Sequence, residues 1–461
     1  MNKDKLTARE FIAQLVDDGS FVEAGRFVRR SNAVYGYSDV SAEGEGVVSG
    51  WGRVDGMPVC VFAQDGDVLG GSLGEAHAAK IVKAIELAKK SGYPIVTRWG
   101  SRGARVQEGA AAVDAYAKIA RALSDVSGLV PTISVAAGEM FGIEAAFAAM
   151  TDFTVAIKGV SACGIHAPMV VASKEETEPD AQKLMGSAVM TEQNGVAQLC
   201  CENEADAVES VKKLLSYLPS NNLESADIEP MGDDANRTVT ADAADTRALI
   251  ADAADVNSFF ETGAAYAPEM ITGFIRLDGI SVGVIANAAG ERLTVRGYKK
   301  AARFLSILNA YDLPAITFIN NEGSGISLHA AQCCQIPAYA KLLSTYALAG
   351  NAKIALITGR AVGEGWAAMG AAACHDIVYA YDDAKIGCMD EIAGSIVVFG
   401  KPGHEDEYAG DFLGAKTACA QGVADDVISK GDTRRALVNA VSIALAKREE
   451  KPLKKHVIMP L

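Results

Sequence analysis

The chain has 461 residues, 49% of them hydrophobic but only 7% aromatic, and a formal net charge of −15. Two hydrophobic cores suit that length better than one, and the many Ala and Gly residues suit helices packed closely on sheets. The acidic balance excludes an extended phosphate-binding face, so neither nucleic acid nor an anionic membrane surface is an expected partner.

The opening MNKDKLTAREFIAQLVDDGSF carries charge throughout, which excludes a secretory signal. Its periodicity predicts an amphipathic helix over 7–18, ahead of a polar stretch reaching Gly46. Two alternating apolar segments follow, VVSGWGRVDGMPVCVFAQD at 47–65, and meet at Asp55-Gly56, a strong hairpin signal. Gly70-Gly71-Ser72-Leu73-Gly74 then leads into a predicted helix over 77–90, where His77 near the start suits capping or packing. A buried strand at 94–96 runs into Gly100-Ser101-Arg102-Gly103-Ala104-Arg105-Val106-Gln107-Glu108-Gly109, a glycine-containing loop before another helix.

A second such unit follows: a strand at 131–135, a tight turn Gly138-Glu139-Met140-Phe141-Gly142, a small-residue helix over 143–150 and a strand at 153–156. The stretch 129–150 is the most apolar in the chain, but Glu139 and Glu144 interrupt it, so it reads as a buried turn and helix and not as a membrane span.

The second half repeats the first. MITGFIRLDGISVGVIANA at 270–288 matches 47–65, with Gly273 and Asp278 at a constant offset from Gly50 and Asp55 (273 − 50 = 278 − 55 = 223). The strand at 314–318 leads to Asn321-Glu322-Gly323-Ser324-Gly325. The strand at 353–358 leads to Gly359-Arg360-Ala361-Val362-Gly363, a helix from Glu364 onward, and a strand at 376–380. So long a period means two copies of one domain, each an α/β unit with right-handed crossovers. The expected organisation is a first domain over 1–222, an acidic linker over 223–245 and a second domain over 246–461 that opens with a helix at 246–255.

Nine scattered cysteines, with no CxxC, fit reduced and buried thiols of a cytoplasmic protein, and no metal site is expected. The six histidines lie in no HExxH or GxSxG context. What remains are the glycine turns. A strand feeding a GxxxG turn and a helix points backbone N–H groups into a crevice, an arrangement suited to an enolate oxygen. It occurs twice, at 138–144 and 359–365. Close approach of a helix to a strand is the commoner account of a single turn of this kind, and it is the duplication at matching places that raises the catalytic reading beside it. Glu139, Glu144 and Glu364 flank the turns as acid–base groups or as solvated or helix-capping carboxylates.

Several stretches are more specific: KLTAREFIAQLVDDGSFVEAGRFV (5–28), FAQDGDVLGGSLGEAHAAK (62–80), GARVQEG (103–109), LLSYLPSNN (214–222) and KREEKPLKKHVIMPL (447–461). Across nearly the whole chain they resemble the carboxyltransferase (beta) subunit of biotin-dependent acyl-CoA carboxylases and decarboxylases, of the propionyl-CoA carboxylase and methylmalonyl-CoA decarboxylase type. The resemblance implies two tandem crotonase-like domains related by internal duplication. It implies a coenzyme A thioester held mainly by the first, and biotin, borne on a separate carrier protein, held by the second. It also implies a hexamer, a trimer of dimers, working with a carboxylase or decarboxylase subunit and without membrane insertion.

Carried over by position, the enolate donors are the amides of Gly142 and Ile143, and the biotin-side donors are those of Glu364 and Gly365. Ser101, Gly103, Ala104 and Arg105 then lie beside the CoA, and Gly323 and Gly325 beside the second ligand. The chain departs from the family where a glycine pair is expected, having Gly142-Ile143 and Gly363-Glu364 instead. A backbone N–H survives any substitution except proline, but a β-branched residue resists unusual φ values. Two other readings stay open: a biotin-independent crotonase-type decarboxylase, hydratase or hydrolase using Glu144 or Glu364, and a non-catalytic paralogue acting as a structural subunit.

Overall fold

The computed structural model describes residues 6–29, 43–101, 103–449, 458 and 460. Arg102, residues 30–42 of the polar stretch before Gly46 and most of the motif at 447–461 therefore lie outside the described residues. The chain divides into two compact units, Met1–Ser225 and Ala226–Leu461, each with its own seven-stranded sheet.

In the first unit the helix Ala8–Leu15 starts with a reciprocal capping box between Thr7 and Glu10. It stops short of residue 18 because Val16 turns extended and the Asp17 carboxylate is drawn to the hairpin, where it accepts from the amides of Asp55 and Gly56, both at 2.9 Å. Asp55 (φ 48°) and Gly56 (φ 83°) are both left-handed, as the tightest hairpin turn requires. The strands Val47–Val54 and Met57–Gln64 pair antiparallel across it. The sheet continues in parallel through Ile95–Trp99, Thr132–Ala136, Phe153–Ile157 and Leu199–Cys201.

The helices Glu75–Ser91 and Ala110–Val126 pack on one another and on this sheet, burying Ile81, Ile85, Tyr116, Ile119 and Leu123. Trp99 lies at the centre of an aromatic cluster, with ring centroids 4.9 Å from Phe62 and 5.2 Å from Phe147. The buried pair Arg98–Glu204, at 3.0 Å, ties the central strand to the helix Glu204–Tyr217.

The second unit repeats the plan. The helix Thr246–Ala253 is capped by Asp245, and Asp255 takes the place of Asp17, accepting from the amides of Asp278 (3.1 Å) and Gly279 (2.8 Å). Here the clamp is wholly buried and also paired to Arg434 at 2.6 Å. The strands Met270–Leu277 and Ile280–Asn287 form the hairpin, followed in parallel by Ala315–Ile319, Lys353–Ile357, Ile377–Tyr381 and Asp426–Ile428.

Two sequence expectations need amendment. The acidic stretch 223–245 is largely packed against the second unit: Glu229 N donates to Gly279 O at 3.0 Å, Arg237 pairs with Asp233 and Asp252, and Arg434 Nε donates to Asp234 O at 2.8 Å. Two arginines thus neutralise charges that composition alone assigns to solvent. The thiols are not uniformly buried either: Cys60, Cys163 and Cys201 are, whereas Cys200, Cys333, Cys334 and Cys388 are exposed.

Candidate functional site

Both glycine turns are more ordered than their sequences suggest. In the first unit the turn contains a short strand, Glu139–Phe141, paired in parallel with Ala162–Gly164. In the second, Arg360–Val362 pairs with Lys385–Gly387, and the neighbouring Asn321–Ser324 pairs with Glu291–Leu293. These small ladders hold the edges of the turns.

Gly142 has φ +79°, and a Cβ built on it would meet nothing within 4 Å. Gly363 has φ +54°, with Cys388 O 3.1 Å from such a Cβ. The left-handed position is therefore glycine in both copies (363 − 142 = 221). The residues that depart from the expected glycine pair, Ile143 and Glu364, follow it with negative φ, so the branched side chain of Ile143 meets no backbone strain. Ile143 is 45% exposed and projects from a 3₁₀ turn, Gly142–Glu144, that continues into the helix Ala145–Met150. The first amides of such a turn have no carbonyl one turn back to bind. Structural register thus equates Gly142-Ile143 with Gly363-Glu364, and the pair Glu364-Gly365 sits one residue further into its own turn.

The loop 100–109 is drawn to the first turn. Gly100 and Gly138 approach so closely that a Cβ on Gly138 would lie 3.2 Å from Gly100 Cα, and Ser101 N donates to Glu139 O at 3.3 Å. Gly103 (φ +92°) has open space around it, and Ala104 is exposed, so both remain accessible to a ligand. Arg105, expected beside the CoA, is instead only 1% exposed. Its guanidinium binds Glu45 at 2.7 Å, Glu108 at 3.0 Å and Ser72 O at 2.9 Å, bracing the loop from beneath.

Two side-chain amides that the motifs do not mark pin these loops. Gln64 Oε1 accepts from Gly100 N at 2.7 Å, and Asn287 Oδ1 accepts from Asn320 N at 3.0 Å. They occupy equivalent places in the repeat (287 − 64 = 223), so the duplication carried the signal. Gln64 is steadied by His77, whose Nδ1–H donates to Glu45 O at 2.7 Å and whose Nε2 faces Gln64 Nε2 at 3.3 Å. Burial pushes His77 down to about 3, so it is neutral and its role is packing.

In the second unit Asn321, Gly323 and Gly365 interlock. A Cβ on Gly365 would lie 2.1 Å from Asn321 Oδ1 and 2.7 Å from Gly323 Cα. The Glu364 carboxylate folds back over Gly323 and accepts from Ser324 N at 3.1 Å, so the side chain that replaces a glycine is held by the adjoining loop. Gly325 is fixed through Leu293 O at 2.8 Å and Gln335 at 2.9 Å. Arg360 lies between Glu322 (3.1 Å) and Glu391 (3.0 Å), and its hydrogen bonds hold Glu391 down at about 2.

Glu144 is the one catalytic-type side chain at the first turn that is sealed in. It is 0% exposed, and the neutral side chains of Gln64 and Ser101 approach its carboxylate, neither of them in well-formed hydrogen-bond geometry. Burial pushes it up to about 7, against a smaller opposing influence of Gln64 and Ser101. Among the described residues no group of three or more His, Cys, Asp or Glu side chains is placed to hold a metal ion. No described helix is long and apolar enough to cross a membrane.

Two α/β units with parallel-dominated sheets, each presenting a left-handed glycine turn, define a tandem crotonase-like protein. The whole architecture matches a transcarboxylase 12S crystal structure with methylmalonyl-CoA and methylmalonic acid bound, at TM-score 0.95 and 32% identity over 99% of this chain and 93% of that one. The carboxyl transferase domain model matches residues 1–459, and the chain belongs to that family as a carboxyltransferase. It is 37% identical to the methylmalonyl-CoA decarboxylase subunit alpha of Veillonella parvula, over 99% of this chain and 93% of that protein. It is 34% identical to the propionyl-CoA carboxylase beta chain of Saccharopolyspora erythraea, over 100% and 91%.

Proposed function

We propose that this chain is the carboxyltransferase subunit that moves a carboxyl group between biotin and the α-carbon of a short acyl-CoA of the propionyl or methylmalonyl type. In this reading the acyl-CoA binds the first unit and biotin, on a separate carrier protein, the second. The subunit works in the cytoplasm as a hexamer, a trimer of dimers, beside a carboxylase or decarboxylase subunit. The observation that carries the reading is the left-handed glycine kept in both turns, at Gly142 and Gly363. Each glycine lets the chain reverse into a helical turn whose first amides, those of Gly142 and Ile143 and of Glu364 and Gly365, are the donors of this reading.

When the bond between the α-carbon and the carboxyl group breaks, its electron pair moves into the thioester carbonyl. The amides of Gly142 and Ile143 then meet the developing oxyanion with preorganised dipoles, worth about 3 kcal/mol per donor in comparable sites. Gly103 and Ala104 offer the CoA an open backbone edge. Biotin, when bound, supplies a ureido nitrogen that takes or gives the carboxyl group. The second turn fits such a group because Ser324 draws the Glu364 carboxylate aside while Asn321 packs flat against Gly365.

The test is transfer of labelled carboxyl from methylmalonyl-CoA to free biotin by the purified protein. Label appearing in biotin is the expected result. Failure with methylmalonyl-, malonyl- and ethylmalonyl-CoA alike, in a protein that is folded, would overturn the reading. A biotin-independent acid–base mechanism through Glu144 is disfavoured by the enclosure of that side chain.

A further inference from the structure

A carboxyl group closed off from solvent, with no cation and only weak neutral hydrogen-bond partners, costs stability unless it stays protonated. Glu144 is such a group, and it stands directly after the two residues whose amides receive the enolate in the function proposed above. The second copy has nothing of the kind. The residue equivalent to Glu144 is Gly365 (365 − 144 = 221), and the room under that turn is filled by the backbone at Gly323 and the side chain of Asn321. The difference is specific to the turn assigned to the acyl-CoA.

The surroundings of Glu144 are neutral. Tyr116, on the helix Ala110–Val126, and Cys163, on the strand Ala162–Gly164, both feel its charge; burial is the larger cause raising each, Cys163 to about 11. Gln64 and Ser101 face it from the hairpin and from the loop 100–109. The strands Thr132–Ala136 and Phe153–Ile157, which pack on the helix Ala145–Met150 that follows Glu144, contribute no ionisable side chain. Behind Gln64 lies His77, itself neutral. Arg102 is outside the described residues. Among the described residues, therefore, no cation compensates Glu144 when it ionises.

We propose that Glu144 is a positioning residue that sets the pH range of the first turn. Neutral, it leaves the amide dipoles of Gly142 and Ile143 unopposed; ionised, it places a negative charge beside the oxygen those amides must stabilise. The inference rests on the reading of that turn as the enolate site. By linkage, a ligand that brings negative charge to the turn must hold Glu144 protonated to higher pH.

The experiment has two arms on the full-length protein. Difference infrared spectroscopy follows the protonated carboxyl band of Glu144, identified by its loss in Glu144→Gln, from pH 5 to 9, with and without methylmalonyl-CoA. Carboxyl transfer from methylmalonyl-CoA to free biotin is followed over the same range. The expected band titrates near neutrality and persists to higher pH once methylmalonyl-CoA is bound. Wild-type transfer falls about tenfold per pH unit above the ligand-bound midpoint, as for a single ionisation, and Glu144→Gln abolishes that limb while keeping the low-pH rate.

A band that has gone by pH 5, a midpoint that methylmalonyl-CoA does not move, or an alkaline limb retained in Glu144→Gln would each overturn the proposal. If Glu144→Gln does not fold, the wild-type band and its response to methylmalonyl-CoA decide. If wild type transfers no carboxyl at any pH, the proposed function fails, whereas the infrared arm still reports on Glu144 itself.

Discussion

Replacing Gly365 by alanine tests whether the second turn is assembled by direct backbone packing. The new methyl group would lie 2.1 Å from Asn321 Oδ1 and 2.7 Å from Gly323 Cα. Neither neighbour can yield freely. Asn321 is 1% exposed and its Oδ1 holds the Gly323 amide at 3.0 Å, so turning it away leaves a buried donor unpaired, at about 1–3 kcal/mol. Moving the strand Asn321–Ser324 instead carries the usual overpacking cost of about 1–3 kcal/mol.

Either route lowers the melting temperature of the second unit, which holds 461 − 225 = 236 residues, by about 2–4 °C for each kcal/mol lost. Scanning calorimetry reads this shift, and carboxyl transfer should fall with it because Ser324 and Glu364 are displaced together. Gly142→Ala is the control: its Cβ enters open space, so only the left-handed backbone cost of about 1–2 kcal/mol remains. A Gly365→Ala protein that melts and turns over like wild type would refute the packing account.

Acid should weaken the first unit through His77, which is buried, and the second through His375, which is half-buried. His77 is pushed down to about 3 and His375 to about 4, burial being the main cause in each. Their stabilisation is therefore complete above the unfolded value near 6.5 and is lost as pH falls below it, at up to about 1.4 kcal/mol per group per pH unit. Melting temperatures between pH 7 and 5.5 check this, and His77→Gln should flatten the slope of the first unit. Asp255→Ala should cost about 3 kcal/mol, since it leaves the buried Arg434 with Asp233 at 3.6 Å as its remaining carboxylate and unpairs two hairpin amides, whereas Asp17→Ala, at the equivalent but half-buried clamp, should cost about 1 kcal/mol; urea midpoints separate them. Glu391→Gln should cost about 1 kcal/mol at pH 7. Because Glu391 is held down at about 2, the gap from wild type should close as pH falls from 4.5 towards 2.

What the sequence made legible was local or duplicated. The hairpins at Asp55-Gly56 and Asp278-Gly279 follow from residues that accept positive φ, and the alternating strands and helical spacings locate most of both sheets. The two turns were found because the same pattern recurs. What it concealed was decided by partners far away in the chain. Arg105 looks like a ligand-binding arginine until Glu45, 60 residues earlier, closes on it. Arg98 and Glu204 meet across 106 residues. The acidic stretch 223–245 looks solvated because Arg434 lies 200 residues from Asp234. Glu144 could not be separated from an exposed capping carboxylate by spacing, since burial is a property of what packs over it. For Glu364, nothing in periodicity says that Ser324 will hold its carboxylate.

The pins at Gln64 and Asn287 have a further consequence. An acyl-CoA brings several negative charges to a chain already at −15, and loops held by exposed ion pairs would respond to that charge and to salt. A neutral amide accepting from a backbone N–H responds to neither. At these two pins, therefore, neither an arriving anion nor added salt changes the force that holds the loop, and ionic strength acts there on how fast a ligand arrives.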